Sequence, residues 1–193
     1  LDVFADNALL NAVRWGGQVC GAASEENEKY FTFESDICKK SKYVILFDPL
    51  DGSSLVDVNL AVGTIVSIYE GDNLLRPGRN QVAALYVLYG PRTTMVVSTG
   101  KGVHEFAMNQ LMEFDLVQEN IQLEGPAKIY APGGLRSKYT KGTLAFVRSL
   151  EASGTKLRYS GGFVPDINQV LIKGGGIFLY PHLTDNPQGK LRL

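Results

Sequence analysis

Asp48-Pro49-Leu50-Asp51-Gly52-Ser53-Ser54 follows directly on the apolar run Lys42–Phe47, and no other stretch constrains the chain as much. A short run rich in β-branched and aromatic residues, closed by a proline, predicts a buried strand that stops at Asp48-Pro49. Such a strand delivers Asp48 and Asp51 to a sheet edge on a turn that Pro49 stiffens. Magnesium takes hard oxygen ligands in near-octahedral geometry, so the two carboxylates and the Leu50 carbonyl suit it. Gly52 lets the backbone approach an anion, Ser53 and Ser54 add hydroxyl donors, and a helix N-terminus is expected here with free amides. The same composition also fits an ordinary turn and helix cap, which is what most Asp-Gly-Ser strings form.

With 193 residues, 45% of them hydrophobic and 20% charged, the chain can bury one substantial core or two smaller ones, as a soluble globular protein does. The 19 basic residues nearly balance the 20 acidic ones, so no global field favours nucleic acid or an anionic membrane, and any anion site must be local. Cys20 and Cys38 lack metal-ligand spacing and read as reduced, buried thiols, which points to a reducing cytoplasm. No apolar run approaches the roughly 20 residues of a membrane span, and no signal or lipidation motif is present. The chain opens at Leu1 without a methionine and stops at Leu193 inside an apolar run, so both ends are expected to be cut; removal of a transit peptide would make a plastid the location.

Leu1, Phe4, Ala5, Ala8, Leu9, Ala12 and Val13 recur at helical spacing and predict an amphipathic helix with Asp2 in its first turn, closed by Gly16-Gly17. Strands are predicted over Lys42–Phe47 and Val62–Tyr69, the latter followed by a turn at Gly71-Asp72-Asn73. Arg79–Tyr89 reads as a helix entered at Pro77-Gly78 and stopped by Gly90. Thr93–Ser98, Val103–Met108 and Phe114–Val117 read as an antiparallel meander. Beyond a boundary near residue 125 come strands at Lys128–Ala131, Lys156–Tyr159 and Ile177–Tyr180, with helices near Leu144–Ala152 and Pro165–Ile172. The expected domains are 1–125, for metal binding and the meander, and 126–193, for sugar phosphate.

As a whole string, Asp48 to Ser54 resembles the signature of the class I fructose-1,6-bisphosphatases and, more loosely, that of the inositol monophosphatases. The similarity continues through Leu1-Asp2-Val3-Phe4, Ser24-Glu25-Glu26-Asn27, Pro77-Gly78-Arg79-Asn80, Lys128-Ile129-Tyr130, Arg158-Tyr159-Ser160-Gly161-Gly162, Gly176 to Pro181 and Gly189 to Leu193. The resemblance implies a layered α-β-α-β-α sandwich of α/β (α+β) class, with the acidic site between the two domains. It implies magnesium-dependent hydrolysis of the 1-phosphate of fructose 1,6-bisphosphate, with manganese or zinc as substitutes for magnesium. By match, Glu25, Asp48, Leu50 and Asp51 hold metal, and Asp2 and Glu26 activate the attacking water. Asp51, Gly52, Ser53 and Ser54 touch the scissile phosphate, while Arg158, Tyr159, Tyr180, Lys190 and Arg192 take the rest of the sugar phosphate. In the family the arginine matching Arg158 comes from a neighbouring subunit, which implies a homo-oligomer, a tetramer or a dimer. Neither nucleic acid nor membrane is an expected partner.

The match has departures. Leu55-Val56-Asp57 replaces the usual Asn-Ile-Asp, and Gly133 stands where many members carry an asparagine that contacts sugar phosphate. Segments around Tyr89–Thr94, Pro132–Arg136 and Val164–Gln169 are closer to sedoheptulose-1,7-bisphosphatases, so that substrate, or dual specificity, is the alternative. A monoesterase of the inositol-phosphatase kind and a silent sugar-phosphate-binding subunit are further readings. The family's N-terminal helices, which carry AMP inhibition and a mobile loop, and a metal-binding glutamate beyond the segment matching Leu193 have no counterpart in the sequence.

Overall fold

Strand pairing in the computed structural model, which describes residues 1–33, 42–71 and 76–188, builds two separate sheets. Two compact units divide between Asn120 and Ile121. The expected boundary near residue 125 falls slightly later. Ile121 is already buried, and the Glu124 amide donates to Gly174 O at 3.1 Å, which ties the intervening stretch to the second unit.

The first unit opens with α1 (Asp2–Gly16), ended by Gly17 in the left-handed conformation, and continues with β1 (Val19–Ser24), β2 (Phe31–Thr32) and β3 (Tyr43–Asp51). Then come β4 (Val62–Glu70), β5 (Ala83–Tyr89), β6 (Thr93–Ser98), β7 (His104–Met108) and β8 (Phe114–Gln118). The strands lie in the order β2-β1-β3-β4-β5-β6-β7-β8. β1 and β3 run parallel, while β3 through β8 form an antiparallel meander.

Three sequence expectations are corrected here. Arg79–Tyr89 is not a helix: a 3-10 turn covers Gly78–Asn80, and β5 follows, paired with β4 on one side and β6 on the other. Tyr86-Val87 suits a strand, and two ladders outweigh the helical propensity of the alanines and leucines around it. β3 does not stop at Asp48-Pro49 but carries on to Asp51, because Asp51 pairs with Gly63 across an irregular register. The apolar stripe of α1 is rotated from the predicted one. Leu9, Leu10 and Val13 pack on the core, whereas Leu1 and Phe4 are about three-quarters exposed. β1 and β2 are additions to the predicted elements.

The core of this unit joins Ala22, Phe33, Ile45, Phe47 and Val66 beneath α1. Cys20, half-buried rather than buried, is a free thiol whose Sγ donates to Tyr43 O at 3.3 Å; Cys38 lies outside the described residues.

In the second unit β9 (Ile129–Pro132) is the centre of a parallel sheet, with β10 (Lys156–Leu157) and β11 (Gly176–Leu179) beside it. Parallel neighbours need crossover helices, supplied by α2 (Lys141–Ala152) and α3 (Phe163–Ile172). Thr140 caps α2 by accepting the Thr143 amide at 3.2 Å, which starts the helix earlier than its apolar pattern indicates. Pro165 sits in the first turn of α3, where no intrahelical donor is lost. Tyr130, Tyr139, Val147 and Leu150 form the core. Above it, Arg136 makes a two-pronged contact with Glu151 at 2.6 and 3.1 Å, and Tyr130 OH donates to Glu151 at 3.1 Å. Among the described residues, no helix is long and apolar enough to cross a membrane.

Phe47 is fully buried, so Phe47→Ala is expected to destabilise the first unit by about 3–5 kcal/mol in urea unfolding. The Arg136 hydrogen bonds hold the Glu151 carboxyl below its ordinary pKa, chiefly through the guanidinium. A depressed carboxylate stabilises the fold above its unfolded pKa and loses that contribution as pH falls through the folded one. The melting-temperature gap between wild type and Glu151→Gln should therefore be present at neutral pH and close on acidification.

Candidate active site

Because β1 and β3 are parallel with Ser24 opposite Phe47, the residues that follow each strand position emerge at the same edge. Glu25-Glu26 leaves β1 there, and Asp48 begins the last stretch of β3 there. The Glu25 amide donates to Phe47 O at 3.0 Å and fastens the two ends together. Ligand sites gather at the carboxyl ends of parallel strands for this reason: backbone groups and following loops converge there.

Asp48 and Asp51 are almost completely buried, at 3% and 1% exposure, whereas Glu25 and Glu26 are exposed. Asp48 Oδ1 accepts the Leu50 amide at 3.1 Å. Gly52 follows with φ 77° and ψ 30°, a conformation a side chain would strain, and turns the backbone into a 3-10 segment at Ser53–Val58. This segment stands in place of the expected helix. Its first amides have no partner within the turn.

α1 brings Asp2 and Asp6, one turn apart on one face, to the same edge. Asp6 is buried and accepts from Ser24 Oγ at 2.5 Å and from Asn27 Nδ2 at 2.6 Å, which staples the helix to the end of β1. Asp2 Oδ1 is buried with no hydrogen-bond partner among the described residues. The Glu26 carboxyl is raised above its ordinary pKa, first by burial and then by Asp2, Glu25 and Asp6. Among the described residues no three His, Cys, Asp or Glu side chains stand close enough to hold a metal. Like charges crowd at this edge, and a cation is what draws such groups together. Hard carboxylate and carbonyl oxygens, with one acceptor sealed from any donor, fit a divalent ion.

At the corresponding ends of β9, β10 and β11 the second unit forms a cleft of about 220 Å³ lined by Gly133, Tyr159, Gly161, Tyr180, Leu183 and Asn186. Tyr180 stacks edge-on against Phe178, which stacks edge-on against Phe163, with ring centroids 4.8 and 5.0 Å apart. A Cβ on Gly133 would lie 2.5 Å from the Tyr180 ring, so glycine is what the aromatic ladder requires there. Tyr139 OH donates to Gly133 O at 3.2 Å. The structure thus brings Gly133, Tyr159 and Tyr180 together. Arg158 lines a different cleft, of about 560 Å³, with Lys128, Lys156 and Lys173. Lys190 and Arg192 lie outside the described residues.

Two positioning residues escape the sequence reading. Asp6 is a carboxylate among the packed positions of α1, and a charge interrupting an apolar stripe is the signal that marks it. Asp166, 1% exposed, accepts the Ser160 amide through both oxygens at 2.9 and 3.1 Å and fixes the turn after Arg158-Tyr159. Its position after Pro165 in a helix's first turn reads only as a favourable dipole charge.

Residues 1–119 match the family described as Fructose-1-6-bisphosphatase, N-terminal domain, and residues 123–193 match Fructose-1-6-bisphosphatase, C-terminal domain. The chain is 63% identical over 193 residues to a Geobacter metallireducens protein named fructose-1,6-bisphosphatase class 1, covering all of this chain and 61% of that protein. A protein of the same name from Methanocorpusculum labreanum is 43% identical, again across the whole chain and over 58% of its own length. The chain therefore spans about three-fifths of the curated relatives it matches. The crystal structure of Leishmania major fructose-1,6-bisphosphatase in holo form superposes with a TM-score of 0.89 at 30% identity, over 99% of this chain and 65% of that one. The expected α/β sandwich class of the sugar phosphatases agrees with that superposition, and with both halves matched in order, the chain belongs to the fructose-1,6-bisphosphatase family.

Proposed function

We propose that the protein hydrolyses the 1-phosphate of fructose 1,6-bisphosphate with magnesium, giving fructose 6-phosphate and phosphate in carbohydrate metabolism. The observation that carries this reading is the meeting of Ser24–Glu26 and Phe47–Asp51 at one edge of the β1–β3 pair, with α1 stapled over it through Asp6. Glu25, Asp48, the Leu50 carbonyl and Asp51 would hold the metal. When bound, a divalent ion supplies a water acidified toward neutral pH and neutralises charge on the transferred phosphoryl group.

Glu26 and Asp2 accept the proton of the attacking water. Burial, and after it the neighbouring carboxylates, raises Glu26 toward the range in which a general base works efficiently. Gly52 lets the backbone close on the phosphate, and Ser53 and Ser54 donate to its oxygens. In the second unit, Tyr159 and Tyr180, which line one cleft with Gly133, offer aromatic faces and hydroxyls to the sugar. Arg158, with its planar fork of donors, takes a second phosphate, as do Lys190 and Arg192. Arg158 lines a cleft other than that of Tyr159, which is compatible with its serving a neighbouring copy in a homo-oligomer, as the family resemblance implies.

The test is phosphate release by the full-length protein with magnesium, compared with the same assay in EDTA; turnover that survives EDTA rules the reading out. Asp51→Asn is expected to lower kcat by about a hundredfold or more, on the scale of losing one charge-stabilising group, without a change in circular dichroism. Fructose 1,6-bisphosphate is expected to turn over faster than sedoheptulose 1,7-bisphosphate, and the opposite order in kcat/KM would assign the seven-carbon substrate instead.

A further inference from the structure

β3 and β4 pair Asp48 with Ile65 and then Asp51 with Gly63, so Pro49 and Leu50 together face Thr64 alone. Two residues opposite one is a bulge, and bulges re-aim the side chains on either side of them. The bulge here separates the two aspartates of the signature.

Thr64 and Pro49 are both buried, and Thr64 Oγ1 donates to the Pro49 carbonyl at 2.9 Å. The same hydroxyl lies 2.9 Å from Tyr89 OH. A carbonyl cannot donate, so the single Thr64 proton goes to Pro49, and the tyrosine must then donate to Thr64. The direction of both bonds is thereby fixed: from the Tyr89 phenol to the Thr64 hydroxyl to the Pro49 carbonyl. Hydrogen bonds aligned in this way polarise one another in a buried setting. On the far side of the bulge the Leu50 amide donates to Asp48 Oδ1 at 3.1 Å, so both of its residues are held, one by its carbonyl and one by its amide.

The geometry points to Thr64, with Tyr89 behind it, as a positioning residue for the metal loop. The two hydroxyls hold the Pro49 carbonyl and so set the spacing at which Asp48, the Leu50 carbonyl and Asp51 face a divalent cation. This inference rests on the metal-loop reading of Asp48–Asp51.

The experiment is calorimetric titration of Mn2+ into the full-length protein, alongside urea unfolding, for wild type, Thr64→Val, Thr64→Ser and Tyr89→Phe. Thr64→Val keeps the shape but strands the Pro49 carbonyl, and Mn2+ affinity is expected to fall about tenfold. Thr64→Ser keeps the donor and should stay within about twofold of wild type, while Tyr89→Phe should lose about threefold. Wild-type affinity in Thr64→Val, or equal losses in the serine and valine variants, would overturn the assignment in favour of packing alone. If Thr64→Val does not fold, Tyr89→Phe decides, and unchanged Mn2+ affinity there sinks the proposal. A wild-type protein that binds no Mn2+ would remove the metal-loop reading itself, an outcome distinct from equal binding by wild type and variant.

Discussion

Two strands that run parallel and side by side must leave the sheet at the same edge, and the pairing of β1 with β3 makes that edge the place where this chain concentrates negative charge. Asp48 and Asp51 arrive on one strand and Glu25-Glu26 just after the other, and α1 is held to the end of β1 by the Asp6 carboxylate. Crowding carboxylates is unfavourable unless something offsets it. Here the cost is met by the apolar contacts of Leu9, Leu10 and Val13 with the core behind the edge, and by the donors that Ser24 and Asn27 give to Asp6.

The second unit uses the same rule on a smaller scale. Three short parallel strands present Gly133, Tyr159 and Tyr180 from their carboxyl ends, and the amide of Ser160 is locked by Asp166 just beyond the first tyrosine. One residue earlier, Arg158 belongs to another cleft, because successive residues of an extended chain face opposite ways.

Much of this was legible in the sequence, unevenly. The strands at 62–70, 93–98, 104–108 and 114–118 announce themselves through β-formers cut by glycine and polar turns, and the acidic signature identifies itself as a string. β5 was not legible, since Ala83-Ala84-Leu85 lacks alternation and Pro77-Gly78 and Gly90 imitate helix punctuation. Only the ladders on both sides make it a strand. β1 hides in Val19-Cys20-Gly21-Ala22-Ala23-Ser24, small residues of weak strand propensity. A Cβ on Gly21 would fall 1.6 Å from Tyr30 OH, a close approach no local pattern reveals. Of the site, the carboxylates Asp2, Glu25, Glu26, Asp48 and Asp51 could be named from motifs. Asp6 and Thr64 could not, because their roles come from partners at distant positions in the chain.

The edge-on ladder of Phe163, Phe178 and Tyr180 resting on Gly133 ties four residues from three elements into one decision. A side chain at position 133 would meet the Tyr180 ring, which must shift to admit it, with Phe178 and Phe163 stacked behind. Position 133 is thus mechanically coupled to the aromatics: what occupies it sets where the Tyr180 ring can lie, and the ladder behind follows. Any change at this cleft is therefore felt jointly at positions 133, 163, 178 and 180.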